Sequence, residues 1–307
     1  MNLDSIVPEV FIRFPLLFGL YRGKRIAGFS LLGMVLLLAP PLFSPVQAAL
    51  SGVEVHKDIS YVKDDDPCHR LDLYLPEGKE GVPVLLFIHG GGWRRGDKQG
   101  SLNVYIKLGE ALAQEGIATV VANYRLVPGV KYRSQAQDVA AALKWTRDKI
   151  AGFGGDPSRI YIGGHSAGAH LALLSVADPD YGADPVDGII FWSGIADINI
   201  AMDTSPIFTK IGMYTPAFGK DPEKWYKASP INFLSRMDVP LLIMYGDGNF
   251  PQILQQSKLL LKKSRDLGLP VTERIITGKS HFSEVFSFPD RYSEARKAIV
   301  GFIGPNR

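Results

Sequence analysis

An α/β fold with a mostly parallel central sheet and helices on both faces is predicted by three features of the chain. Short continuous apolar runs, such as Val84-Leu85-Leu86-Phe87-Ile88, have the character of strands covered on both sides. Helix-period stretches alternate with these runs from there to the C-terminus, the rhythm of a parallel sheet with crossover helices. The 307 residues, 46% hydrophobic and 10% aromatic, are ample for the core of one large domain.

Segments 53–62 and 70–75 alternate in polarity through Leu71, Leu73 and Leu75, and predict an antiparallel start around the acidic turn Asp64-Asp65-Asp66-Pro67. The buried strand 84–88 follows. A helix is expected over 102–115, with Ile106, Leu108 and Leu112 facing inward and Gly116 closing it. Next come a strand at 117–121, a helix at 138–150, a strand through Ile160-Tyr161-Ile162, a helix opening at Ala167, and strands at 188–192 and 239–245. A helix at 253–267, a strand at 271–277 and a helix at 291–302 complete the pattern. Between 195 and 237 the rhythm lapses into a stretch rich in Pro, Phe, Tyr and Trp, expected to form a small lid over the strand ends.

Residues 1–48 carry a different signal. Arg22-Gly23-Lys24-Arg25 precedes an uncharged apolar run over 26–43, and Val46-Gln47-Ala48 offers small residues where a signal peptidase inspects them. An exported protein cleaved after Ala48, periplasmic or secreted, is the expectation. The competing reading is an uncleaved membrane anchor, against which Pro40-Pro41 breaks the run. Much of the formal charge of +3 comes from this segment. The remaining body is nearly neutral and has no basic run, which argues against nucleic acid as a partner. Cys68 is the only cysteine, so neither an intrachain disulfide nor a cysteine-built metal site is expected.

The chemistry centres on Gly164-His165-Ser166-Ala167-Gly168, set between the strand 160–162 and the helix after it. A serine at a sharp strand-to-helix turn is held in a strained conformation that exposes its hydroxyl, and its neighbours must be tiny. The helix opening at Ala167 adds unpaired N–H groups and a positive dipole end, which favour negative charge beside Ser166. His89-Gly90-Gly91-Gly92-Trp93 follows the buried strand 84–88 directly, and three glycines at a strand's carboxyl end let main-chain N–H groups approach a ligand. Gly91, Gly92 and Ala167 are therefore the candidate oxyanion donors. The loop lacks the Lys-Ser/Thr ending of a phosphate loop.

With Asn123-Tyr124-Arg125-Leu126 and Phe153-Gly154-Gly155-Asp156-Pro157, these motifs resemble the α/β-hydrolase superfamily, in its carboxylesterase and hormone-sensitive-lipase-like branches. The group of bifunctional feruloyl and acetylxylan esterases is similar. The likeness runs from about residue 53 to the C-terminus. It implies an α/β-hydrolase fold, a Ser-His-acid triad, no metal or organic cofactor, and hydrolysis of small-molecule carboxylic esters.

By that resemblance His281, after the last expected strand, is the general base for Ser166, while His165 and His170 pack the elbow. Near-neutral basicity suits an imidazole to taking and returning the serine proton. The acid is expected in the loop Gly246-Asp247-Gly248-Asn249-Phe250-Pro251, where the family spacing falls on Asn249. An amide can orient the ring but cannot stabilise its cation. Three readings stay open: Asp247 on the same loop, which is the first choice; Asp197 from the neighbouring strand end; or a triad without an acid. Trp93 and Trp192, with the aromatics of the lid, are candidates for an apolar substrate pocket. The reaction expected is acyl transfer through an acyl-enzyme. The alternatives are an arylformamidase-like amidase and a catalytically weak binding protein on the same scaffold.

Overall fold

The computed structural model describes residues 52–304; the targeting segment expected over 1–48 lies outside the described residues. Among the described residues eight strands form one sheet: β1 (Val53–Ser60), β2 (Arg70–Pro76), β3 (Val82–Ile88), β4 (Ala118–Ala122), β5 (Gly155–His165), β6 (Gly188–Trp192), β7 (Leu241–Gly246) and β8 (Val271–Ile276). Their spatial order is β1-β2-β4-β3-β5-β6-β7-β8. β2 pairs antiparallel with both β1 and β4, and every other neighbour is parallel. The antiparallel start and the parallel body both match the expectation from the sequence.

The apolar runs are buried on both faces because helices cover both. Val84, Leu86 and Ile88 of β3 point into a core shared with α2 (Tyr132–Lys149), α3 (Ala167–Ala177) and α8 (Pro251–Asp266). Leu85 and Phe87 point the other way, against α1 (Val104–Gln114) and α10 (Glu294–Ile303). This alternation is the period-two geometry of a strand, read out on two apolar layers rather than one. The edge strands β1 and β8 are half exposed and carry the charges that discourage further pairing, Lys57 and Glu54 on one and Glu273 and Arg274 on the other.

Two stretches depart from the expected elements. α2 begins at Tyr132, six residues before the expected start, because Gln135 and Asp138 face inward. The Gln135 Nε2 amide donates to the carbonyls of Trp93 and Arg125 at 2.7 and 2.9 Å, and the Asp138 carboxylate grips the Arg125 guanidinium. Residues 195–237 contain four short helices, α4 (Ile198–Thr204), α5 (Ile207–Thr209), α6 (Thr215–Phe218) and α7 (Pro222–Lys227), with a π-helical turn over Lys210–Tyr214. A final short helix, α9 (Ser283–Phe286), precedes α10. Among the described residues no helix is long and apolar enough to cross a membrane.

Parallel strands end on one edge of the sheet, so the loops after β3, β5, β7 and β8 gather there. Register sets which loops touch. Ile88 lies beside Gly164, placing the glycine loop against the serine turn. Gly246 lies beside Ile276, placing the 247–250 loop against the one that carries His281.

Candidate active site

Ser166 is the hinge between β5 and α3, with φ 57° and ψ −120°. A non-glycine residue held there costs on the order of 1–3 kcal/mol, which the surrounding packing must offset. The packing is possible only with glycine on either side. A Cβ on Gly164 would lie 2.5 Å from the Ile88 carbonyl oxygen, and one on Gly168 would lie 2.1 Å from it. The Ser166 amide donates to the Trp192 carbonyl at 2.9 Å, tying the turn to β6.

The glycine loop packs directly on this turn: a Cβ on Gly90 would approach the Ser166 Cβ to 3.3 Å. Its entry is fixed by the Gly90 amide donating to the Tyr105 hydroxyl at 3.0 Å and by the Tyr124 hydroxyl donating to the His89 carbonyl at 3.1 Å. Gly91 has φ 129° and Gly92 has φ 60°, and a Cβ on Gly91 would sit 2.0 Å from the Arg95 carbonyl oxygen. Neither amide meets an acceptor among the described residues. With the amide of Ala167 at the first position of α3, they are main-chain donors on the two segments that meet where Gly90 packs on Ser166.

His281 comes from the loop after β8. Its Nε2 lies 3.0 Å from Ser166 Oγ, and its Nδ1 lies 3.1 Å from Oδ1 of Asn249. The Asn249 amide has only one chemically sensible orientation. Its Oδ1 also accepts from the Phe250 amide at 2.9 Å, and its Nδ2 donates to Ser193 Oγ at 2.9 Å and toward Glu284 Oε1 at 3.4 Å. A flipped amide would set oxygen against carboxylate and NH₂ against N–H. With Oδ1 as the acceptor, Nδ1 of His281 carries the proton and the Nε2 lone pair faces the serine hydroxyl.

The carboxylate of Asp247, the first choice for the third position, lies elsewhere. It is exposed and accepts from the Gly278 amide at 2.7 Å, linking the loop after β7 to the loop after β8. Asp197 caps α4, accepting from the amides of Asn199 and Ile200 at 2.8 and 3.2 Å. Asn249 stands where the carboxylate was expected, at the position the family spacing marked. Asp247→Asn is therefore expected to leave kcat within about twofold of the parent, because exposed polar substitutions away from the reacting groups have small effects. Asn249→Leu removes the acceptor that fixes the His281 tautomer and should cost at least ~10²-fold in any turnover that depends on Ser166.

Trp93 and Trp192, expected to line a pocket, are 1% and 0% exposed and belong to the core. The Trp93 Nε1–H donates to Nδ1 of His170 at 3.1 Å, whose Nε2–H in turn donates to the Ala228 carbonyl at 2.8 Å. Trp192 packs between the rings of His165 and Phe288. The apolar surface beside the reacting groups comes from other side chains. Phe250 and Phe282 are 51% and 61% exposed, with ring centroids 5.5 and 5.4 Å from that of His281. Met213 of the π-helical turn packs on Gly92, where a Cβ would meet its terminal methyl at 3.1 Å.

Behind the histidine lie groups that the sequence did not mark. Glu284 is fully buried, and its carboxylate accepts from the Gly246 amide at 2.6 Å and faces Nε2 of His165 at 3.1 Å. Donor atoms of His165, His281 and Glu284 lie within 4.8 Å of one another, a spacing compatible with a metal ion. Hydrogen bonds already engage both nitrogens of His281 and the Glu284-facing nitrogen of His165.

Burial pushes the His281 imidazole down from 6.5 to about 2, with nearby His165 adding to the effect, and burial pushes His89 and His170 down to about 4. All three are neutral in the folded protein at pH 6.5 and gain protons on unfolding as the pH falls below that value. Their contribution to stability is thus complete above 6.5 and is lost on acidification through the folded values. Each should cost about 1.4 kcal/mol of unfolding free energy between pH 8 and pH 5.5, measured as a fall in urea midpoint.

Residues 71–264, well over half the chain, match the BD-FAE family. The chain belongs to that family. It is 27% identical over 266 residues to the isoprenylcysteine alpha-carbonyl methylesterase of Arabidopsis thaliana, an alignment covering 80% of this chain and 61% of that protein. It is also 27% identical over 243 residues to esterase LipC of Mycobacterium tuberculosis, covering 74% and 60%. The chain thus spans about three fifths of the length of these curated relatives. Among solved structures, esterase B from Lactobacillus rhamnosis superposes with a TM-score of 0.72 at 23% identity over 83% of this chain and 86% of that one. A truncated carbohydrate esterase from gut microbiota gives 0.70 at 24% over 82% and 95%. The BD-FAE match and these superpositions agree with the sheet order in giving the α/β-hydrolase fold.

Proposed function

We propose that this BD-FAE family member hydrolyses carboxylic esters through an acyl-enzyme on Ser166. The observation that carries the reading is the 3.0 Å approach of His281 Nε2 to Ser166 Oγ at a strained turn on which the glycine loop packs through Gly90. In the first step the Ser166 Oγ attacks the acyl carbon while its proton passes to His281 Nε2. The carbonyl oxygen becomes negative against the amides of Gly91, Gly92 and Ala167, donors whose individual removal typically costs about 3–4 kcal/mol. The imidazolium then protonates the leaving alkoxide, and an alcohol departs. Water repeats the sequence on the acyl-enzyme and releases the carboxylic acid.

Phe250, Phe282 and Met213 support an apolar group next to the scissile bond. Residues 195–237, which supply Met213, act as the lid in this reading. Ester substrates are in keeping with the relatives, a methylesterase and an esterase. The apolar run over 26–43 and the small residues before position 49 support export of the protein.

The test uses a fluorophosphonate, which phosphorylates only an activated serine. The expected result is stoichiometric labelling mapped to Ser166 with parallel loss of p-nitrophenyl ester turnover, and faster turnover of apolar acyl chains than of charged ones. The presence of Asn249 in place of a carboxylate favours a second reading, a binding protein on this scaffold. Failure of the folded protein to label or to turn over any ester would select it.

A further inference from the structure

The proposed reaction creates an imidazolium at His281 in a place that burial makes hostile to positive charge. Asn249 orients the ring but brings no charge to offset that cost. One buried carboxylate stands directly behind it. Glu284 reaches the site from α9, three residues beyond His281, and is fully shielded from water. Its Oε1 faces both the Asn249 Nδ2 at 3.4 Å and the His165 Nε2 at 3.1 Å, while Oε2 accepts from the Gly246 amide at 2.6 Å. One of its oxygens lies within 4.8 Å of a His281 ring nitrogen.

We propose that Glu284 supplies the missing negative charge, a positioning residue acting on His281 through the amide of Asn249 in the chain Ser166–His281–Asn249–Glu284. The inference rests on the hydrolase reading above. The proton still travels only from Ser166 Oγ to His281 Nε2 and on to the leaving alcohol; Asn249 and Glu284 keep their own protonation throughout. The charge acts at one remove, where an interior of low effective dielectric lets it be felt. Its hydrogen bond also polarises the amide, making Oδ1 a stronger acceptor for the Nδ1 proton as the cation develops. Gly246 and His165 hold the carboxylate in place. Gly246 is itself confined, since a Cβ there would meet the Lys279 carbonyl oxygen at 2.1 Å.

The test measures kcat, KM and melting temperature for the wild type and for Glu284→Gln, Asn249→Asp and the double variant Asn249→Asp/Glu284→Gln. Glu284→Gln keeps the shape and removes the charge; kcat should fall by ~10²-fold, the scale of one lost electrostatic contact to a reacting centre, with KM within about twofold. Asn249→Asp alone should be no faster than the wild type, because its new carboxylate faces that of Glu284 and the two like charges resist joint ionisation. The double variant moves the charge into direct contact with His281 and should regain at least ~10-fold over Glu284→Gln, a coupling of opposite sign to simple damage.

Glu284→Gln within about threefold of wild-type kcat, or a double variant no faster than Glu284→Gln, overturns the role of Glu284. If Glu284→Gln does not fold, Asn249→Asp decides alone: a gain of ~10-fold over wild type would mean that the native site lacks a charge, and would overturn the proposal. A wild type without Ser166-dependent turnover overturns both this inference and the hydrolase reading, whereas wild-type turnover with an unaffected Glu284→Gln removes this inference alone.

Discussion

Ser166→Ala and His281→Ala are each expected to lower kcat for an aryl ester by about 10⁶-fold, and the double variant by no more than either single one. The reason lies in the 3.0 Å contact between Oγ and Nε2. A serine hydroxyl is a poor nucleophile until a base takes its proton as the bond to carbon forms, so the two groups act as one device. Losing either leaves only what the unpaired amides of Gly91, Gly92 and Ala167 contribute by holding a substrate carbonyl for attack by water. That residue of catalysis is typically ~10³–10⁴-fold over solution, and it sets the common floor for all three variants. KM should change little for Ser166→Ala, which leaves Phe250, Phe282 and Met213 in place, whereas His281→Ala also removes the ring against which Phe250 and Phe282 pack and is read on kcat. Stopped assays on the three variants, each with its melting temperature, are sufficient. A His281→Ala protein within tenfold of the parent would remove the histidine from the mechanism, and additive losses would separate the two residues.

The fold was legible because its strands are buried on both faces and therefore spell themselves as unbroken apolar runs, β3 and β7 most clearly. The serine turn and the glycine loop were legible for a related reason: a Cβ at Gly91, Gly164 or Gly168 has no room, so sterics write these positions into the sequence as glycine. Side-chain partners carry no such mark. Asp247 and Asn249 lie two residues apart in one loop, and only the path of the chain after β7 decides which faces His281; the Gly278 amide takes Asp247 out of contention. Glu284 was missed because a glutamate in a four-residue helix reads as solvated unless its burial is known. The spacing His281-Phe282-Ser283-Glu284 put it one turn beyond the histidine, and that was the available signal. Trp93 and Trp192 erred in the other direction: large aromatics near a site read as pocket lining, yet both have helices or sheet on every side.

Gly168→Ala is expected to cost about 4 kcal/mol of unfolding free energy or to prevent the folded protein from accumulating, an effect beyond that of most single substitutions. Only one methyl group is added, and in a helix interior alanine is otherwise preferred to glycine by about 1 kcal/mol. The position overrides that preference. The new Cβ would sit 2.1 Å from the Ile88 carbonyl oxygen and 2.5 Å from that of His89, both main-chain atoms in the central strand and the start of the glycine loop. A flexible side chain could turn aside, but β3 is paired on both edges, with β4 and β5, and cannot. Relief requires α3 to lift from the sheet, which opens the core around Leu171 and Leu174 and carries Ser166 away from Gly91 and Gly92. Activity should therefore fall further than stability in any fraction that does fold. Gly301→Ala is the internal control: Gly301 also lies inside a helix, α10, but a Cβ there meets nothing within 4 Å. That variant should gain about 0.5–1 kcal/mol from the helix preference alone. Urea midpoints for the two proteins, measured side by side at pH 8, should therefore move in opposite directions; two small shifts of the same sign would mean that the contact between α3 and β3 is loose enough to absorb a methyl group.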